Sequence, residues 1–210
     1  MRRPAESPTL VTLLLIVAVF ALQQVVGLVA RQRHIFALSN PLLDQPWTLV
    51  TSVYAHAGPS HLLANAAALA LAGLLLERTT TSARFHGFFV AVGALSGVAQ
   101  VAFVGTVGPL IPGVPASVSV LGASGAIFGL FGYLLAANRF TETVVGGFEL
   151  PARAQLALGG VLAAAITLLT ANPGVALVAH FTGLLLGFLA GRAHLLRPAD
   201  TAPEADPTRF

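Results

Sequence analysis

The sequence predicts an all-α, polytopic membrane protein, and three observations predict it. Only 9% of its 210 residues are charged, against roughly 25% in an average soluble domain. Hydrophobic residues make up 56% of the chain and the mean hydropathy is +0.83. Six apolar runs approach the ~20 residues needed to cross ~30 Å of hydrocarbon. So few charges cannot clothe a water-soluble surface, and so apolar a chain is not disordered. The chain has no cysteine, which excludes disulfides, thiolate metal sites and a cysteine nucleophile. Its net charge of +3 comes only from arginine and is scattered, so a nucleic-acid footprint is not expected.

The first expected span is Thr9 to Ala30, introduced by Ser7-Pro8, a cap followed by a first-turn proline. It is too long for the core of a cleaved signal and is expected to stay as an anchor. The second is His61 to Leu76, the third Phe85 to Val104, and the fourth Val120 to Ala137. The fifth is Ala154 to Thr170 and the sixth Val175 to Ala190. The second and fourth are short, so one of them is expected to start below the membrane surface. This divides the chain into an N-terminal tail (1–8), a six-helix membrane domain (9–193) and a C-terminal tail (194–210). That last tail is polar, carries prolines, and is expected to be disordered.

Arginine sets the orientation. With the N-terminus inside, nine arginines are cytoplasmic and only Arg31 and Arg33 are outside. The positive-inside bias places both termini in the cytoplasm. Residues 31–60 then form a long outer loop, expected to be functional or to have structure of its own. Its Trp47 is expected to dip into the interface. Residues 105–119, rich in Gly, Pro and Ser, are expected to be a flexible loop leading into the fourth span.

The polar residues inside the spans bear on function. No Asp, Glu, Lys or Arg falls in the centre of any expected helix. That disfavours proton pumps, many ion-coupled carriers and aspartyl intramembrane proteases. His61 and Asn65 are four residues apart and share one helix face, where both can donate to one object or act as interhelical glue. Ser124 lies in Gly122-Ala123-Ser124-Gly125, where a loop becomes a helix. Unpaired backbone N–H groups and the positive end of the helix dipole favour an oxyanion there. A lone serine in a membrane helix is more often a packing residue. His180 is followed by Gly183, Gly187 and Gly191, which with it form one narrow stripe on the sixth helix. Gly125, Gly129 and Gly132 form a second stripe on the fourth. Packed together, the two ridges would set His180 beside Ser124 as a base–nucleophile pair. A metal site on His56, His61 and His180 is the weaker reading, because no H-E-x-x-H motif and no intramembrane carboxylate accompany them; no metal and no cofactor are expected.

Over about residues 9 to 193 these features together resemble the rhomboid family of intramembrane serine proteases. The matching segments are Trp47 to His56, His61 to Asn65, Gly122 to Gly129, and Ala179 to Gly187. The resemblance implies a six-transmembrane-helix, rhomboid-like bundle of the basic bacterial type in the plasma membrane. It implies an endopeptidase that cuts transmembrane protein substrates near the outer face of the bilayer. Ser124 would be the nucleophile and His180 the general base, with His61 and Asn65 stabilising the oxyanion. Glu77-Arg78 also looks like the family. Two positions depart from it. Thr48 follows Trp47 where the family often has Arg, and Phe128 stands where Tyr often stacks on the histidine. The alternative is a non-catalytic rhomboid-like protein that binds transmembrane helices without cutting them.

Overall fold

The computed structural model describes residues 7–42, 44–112, 117–137, 152–169 and 175–198. Among these residues the regular structure is helical and no strand is present. Six helices lie at the six expected apolar runs: α1 (Pro8–Gly27), α4 (Pro59–Leu76), α5 (Ser82–Val107), α6 (Ser124–Ala137), α7 (Ala152–Leu169) and α8 (Leu177–Arg192). Two short helices, α2 (Gln32–Phe36) and α3 (Thr48–Tyr54), lie between α1 and α4. Three helical segments are long and apolar enough to cross a membrane: Pro8–Gly27, Pro59–Thr79 and Ser82–Leu110. The helices at the other three runs are shorter apolar stretches.

Local chemistry sets the helix ends. Ser7 caps α1, its hydroxyl accepting from the Leu10 N–H at 3.2 Å, and Pro8 occupies the first turn. Glu77, at the far end of α4, reaches the same terminus. Its carboxylate accepts from the Ser7 hydroxyl at 2.7 Å and from the Thr9 N–H at 3.1 Å. A buried carboxylate on a helix N-terminus satisfies both the orphan donors and the dipole. Thr81 caps α5 by accepting from the Arg84 N–H.

Two expectations need adjusting. The fourth run does not become helical at Val120, because Val120 pairs with Leu38 through two 2.8 Å backbone hydrogen bonds. Gly122, with φ +138°, then turns the chain into α6 at Ser124. The outer loop has structure of its own, as expected: α2 and α3 fold within it, and Trp47 donates its indole N–H to the Ile35 carbonyl at 3.2 Å. Residues 105–107 belong to α5 rather than to a loop, with a single 3₁₀ turn after them at Gly108–Leu110. The N-terminal residues 1–6 and the C-terminal residues 199–210 lie outside the described residues.

The closest packing is between α6 and α8. A Cβ on Gly183 would collide with the Gly125 carbonyl oxygen, and one on Gly187 with the Gly129 carbonyl oxygen. The two backbones are therefore in direct contact along both glycine ridges, as small-xxx-small packing requires. α5 lies against both, with Ser96 beside Gly125 and Val92 beside Gly129.

Candidate active site

A cavity of about 1010 Å³ opens among α4, α5, α6, α8 and the outer segments. Ser124, His180, His61 and Asn65 all line it. Each owes its place to a different feature of the chain.

Ser124 is the first residue of α6 and is half-buried. The turn before it is fixed by Gly122, whose N–H donates to the Ser52 carbonyl of α3 at 2.9 Å. Gly122 is also a point of close approach. A Cβ built there would lie 2.7 Å from Cε1 of His61. Only glycine provides both the left-handed backbone and room for the imidazole.

His180 lies in the first turn of α8 and is 8% exposed. Its ring stacks on Phe128 of α6, with centroids 4.2 Å apart and planes 17° from parallel. The start of its helix is held from α5: the Gln100 side-chain carbonyl accepts from the Val178 N–H at 2.9 Å and the Ala179 N–H at 3.2 Å. The residue at the N-cap is Ala176, which has no side chain to cap with, so Gln100 supplies the cap from another helix. Nδ1 of His180 is buried and has no hydrogen-bond partner among the described residues.

His61 and Asn65 lie one turn apart on α4. Asn65 is buried, and its amide donates back to the His61 carbonyl at 3.0 Å. One of its two amide hydrogens is thus turned along its own helix, and only the other is left for the cavity. His61 accepts a long hydrogen bond from the Ala57 N–H at Nδ1, 3.5 Å, which leaves Nε2 as the protonated nitrogen of the neutral ring. Its ring meets that of His56 edge-on at 5.2 Å.

His56 lies in the turn before α4, outside the long helices. It is 2% exposed and lines the same cavity. Its Nδ1 donates to the Tyr54 carbonyl at 3.1 Å. Burial lowers its pKa to about 4, the neighbouring His61 adds to the lowering, and the Tyr54 carbonyl partly opposes it. Gln23 of α1 clamps this turn, accepting from the His56 N–H at 2.8 Å and donating to the His56 carbonyl at 3.3 Å.

Sequence reasoning gave Gln23 and Gln100 no task, and gave His56 only the weaker metal-ligand reading. Polarity within an apolar run was the available signal. The partners were not readable, since each bond crosses more than 30 positions of sequence. Among the described residues, no three His, Cys, Asp or Glu side chains are grouped to hold a metal ion.

The arrangement provides a hydroxyl at a helix N-terminus, imidazoles and an amide around a single cavity, within a body of apolar helices. A family model described as the Rhomboid domain matches residues 43–197. A comparison with curated proteins finds no match.

Proposed function

Because the chain belongs to the rhomboid family, we propose that it is an intramembrane serine endopeptidase acting on transmembrane protein substrates through a Ser124–His180 dyad. Rhomboid membership and the long apolar helices make it an integral membrane protein. The observation that carries the catalytic reading is the cavity itself, which gathers Ser124, His180, His61 and Asn65 from three helices.

In this reading His180 accepts the Ser124 proton as Oγ attacks the scissile carbonyl carbon, and the carbonyl π-electrons move to oxygen. The resulting oxyanion is held by His61, by Asn65 and by the backbone N–H at the start of α6. Collapse of the intermediate breaks the C–N bond. His180 passes its proton to the leaving nitrogen, and an ester on Ser124 remains. Water then attacks the ester with His180 as base, and the proton returns to Oγ as the acid departs. Phe128 fixes the plane of the imidazole by stacking. The close α6–α8 contact sets its distance from the serine.

The substrate must lose helix structure at the cut, because a helix ties up its carbonyls and N–H groups in hydrogen bonds. Helix-weakening residues near the outer face of the substrate are therefore expected at the site of cleavage. Six spans, cytoplasmic termini and a bacterial plasma membrane complete the proposal. The positive-inside arginine pattern and the six apolar helices support the first two; the resemblance supports the third.

The test is cleavage of a model transmembrane substrate by the purified protein in detergent. The wild type should cut at one bond, and Ser124→Ala should not. A folded wild type that binds the substrate and never cuts it would favour the non-catalytic binder instead.

A further inference from the structure

Gln23 does not match the helix that carries it. α1 is peripheral: only 17% of its spanning window is buried, and Leu22 and Val25, close to Gln23 in the chain, are exposed. Gln23 itself is 1% exposed, and both ends of its amide are spent on the backbone of one residue, His56. An amide taken out of water gains little net from its hydrogen bonds, so an apolar side chain would attach α1 to the bundle at lower cost. The two bonds point to a further task.

That task lies in the peptide unit joining His56 to Ala57. The unit is trans. A trans peptide is planar, and its C=O and N–H point in opposite directions. On one side Gln23 Nε2 donates to the carbonyl at 3.3 Å; on the other the N–H donates to His61 Nδ1 at 3.5 Å. The second bond is longer than usual, so it depends on how its donor is aimed. Gln23 fixes the aim from both sides of His56. Its Oε1 holds the preceding peptide through the His56 N–H at 2.8 Å, and its Nε2 holds the following one. The His56 ring, tied to the Tyr54 carbonyl, adds a wall against the His61 ring, with centroids 5.2 Å apart.

We infer that Gln23 is a positioning residue: through the His56–Ala57 peptide it holds neutral His61 as the Nε2-protonated tautomer and aims that N–H at the turn where α6 begins. The hydrogen bond made by one imidazole nitrogen decides which nitrogen carries the proton. The protonated edge faces the right way, since Nε2 lies 3.0 Å from where a Cβ of Gly122 would stand, two residues before Ser124. Without the relay Nδ1 can take the proton, and Nε2 then turns a lone pair towards the oxyanion and repels it. The purpose of the relay, donation to the oxyanion, rests on the protease reading above; the tautomer does not.

Gln23→Met keeps the length of the side chain and removes both hydrogen-bonding groups. It should lower kcat by about ten-fold with KM unchanged, short of the roughly 10²–10³ that loss of the donor itself costs. A double-mutant cycle separates positioning from general support. Gln23→Met should cost nothing further in His61→Ala, whereas a residue that only steadies the bundle would cost the same in both backgrounds. Gln24→Met is the control and should leave kcat unchanged, because the exposed Gln24 amide bonds to the Phe20 carbonyl of its own helix. Nitrogen NMR of isotope-labelled histidines in detergent, with the His61 signals assigned by their loss in His61→Ala, reads the tautomer without cleavage. His61 should be Nε2-protonated in the wild type and a mixture of tautomers in Gln23→Met. Should Gln23→Met not fold, Gln23→Asn keeps an amide in place but falls a methylene short of the carbonyl, and should show the same mixture. An unchanged tautomer, or equal rate losses in both backgrounds, overturns the inference and leaves the protease reading standing if the wild type cuts. A tautomer change in a protein that never cuts supports the relay and removes the protease reading instead.

Discussion

Gly187→Ala changes one hydrogen into one methyl group, more than a helical turn away from His180. The new Cβ would collide with the carbonyl oxygen of Gly129, and the next nearest atoms are the carbonyl carbon and Cα of the same residue. All three are backbone, so no side chain can swing aside and the helices themselves must separate. Overpacking of this kind costs about 1–3 kcal/mol, and a rigid backbone obstacle puts Gly187 at the upper end. The helix-propensity gain of alanine over glycine, about 1 kcal/mol, offsets part of it. A net loss of about 2 kcal/mol should lower the unfolding temperature by roughly 4–8 °C for a chain of this size. The same displacement carries His180 away from Ser124, and a misplacement of ~1 Å can cost about 10² in rate. Gly160→Ala is the control, since a Cβ there meets nothing within 4 Å and only the propensity gain remains. The assay is thermal unfolding in detergent beside cleavage rate, for both variants. Wild-type stability and rate in Gly187→Ala would refute the reasoning and the α6–α8 contact on which the dyad depends.

Three further outcomes are expected. His61→Ala should reduce kcat by about 10²–10³, the usual cost of one oxyanion donor, and Asn65→Ala by less, because only one of its amide hydrogens is left for the cavity; unchanged rates for both would reduce the pair to packing glue. His56 has its folded pKa near 4, below the ordinary 6.5, so the unfolded chain binds its proton first and stability falls as pH drops from about 6.5 towards 4. His56→Asn, which keeps a donor for the Tyr54 carbonyl, should flatten that fall in an unfolding series between pH 7 and 4.5, and an unchanged slope would show that other groups cause it. A reporter active only in the cytoplasm should work when fused to either terminus, and activity at one end alone would mean an odd number of spans.

Much of the fold was legible because lipid imposes a simple rule. Backbone groups must be satisfied within the segment, so apolar runs near span length become helices. Runs such as Phe85–Val104 were recognisable on that ground alone, and α5 extends them only at the ends. The start of α6 was misplaced by four residues, because Val120 and Leu121 are as apolar as the helix that follows. What removes Val120 from the helix is its pairing with Leu38, more than 80 positions earlier. The glycine stripes of α6 and α8 were legible from spacing, because close backbone approach leaves only glycine a place. The second helix of the outer loop was hidden for the opposite reason: Thr48–Tyr54 is seven residues long, too short for periodicity to declare itself. The four candidate site residues stood out as polar positions in apolar runs. Gln100 was equally visible, but its work is done on the amino end of another helix, which composition does not reveal.

The central claim is that Ser124 is a nucleophile activated by His180. Labelling with a fluorophosphonate, followed by peptide mass spectrometry, reads it most directly, because the reagent bonds only to an activated serine and reports which one. The proposed mechanism predicts modification of Ser124 alone, abolished in His180→Ala while that variant stays folded. Label on another serine, or undiminished label on Ser124 without His180, would contradict it.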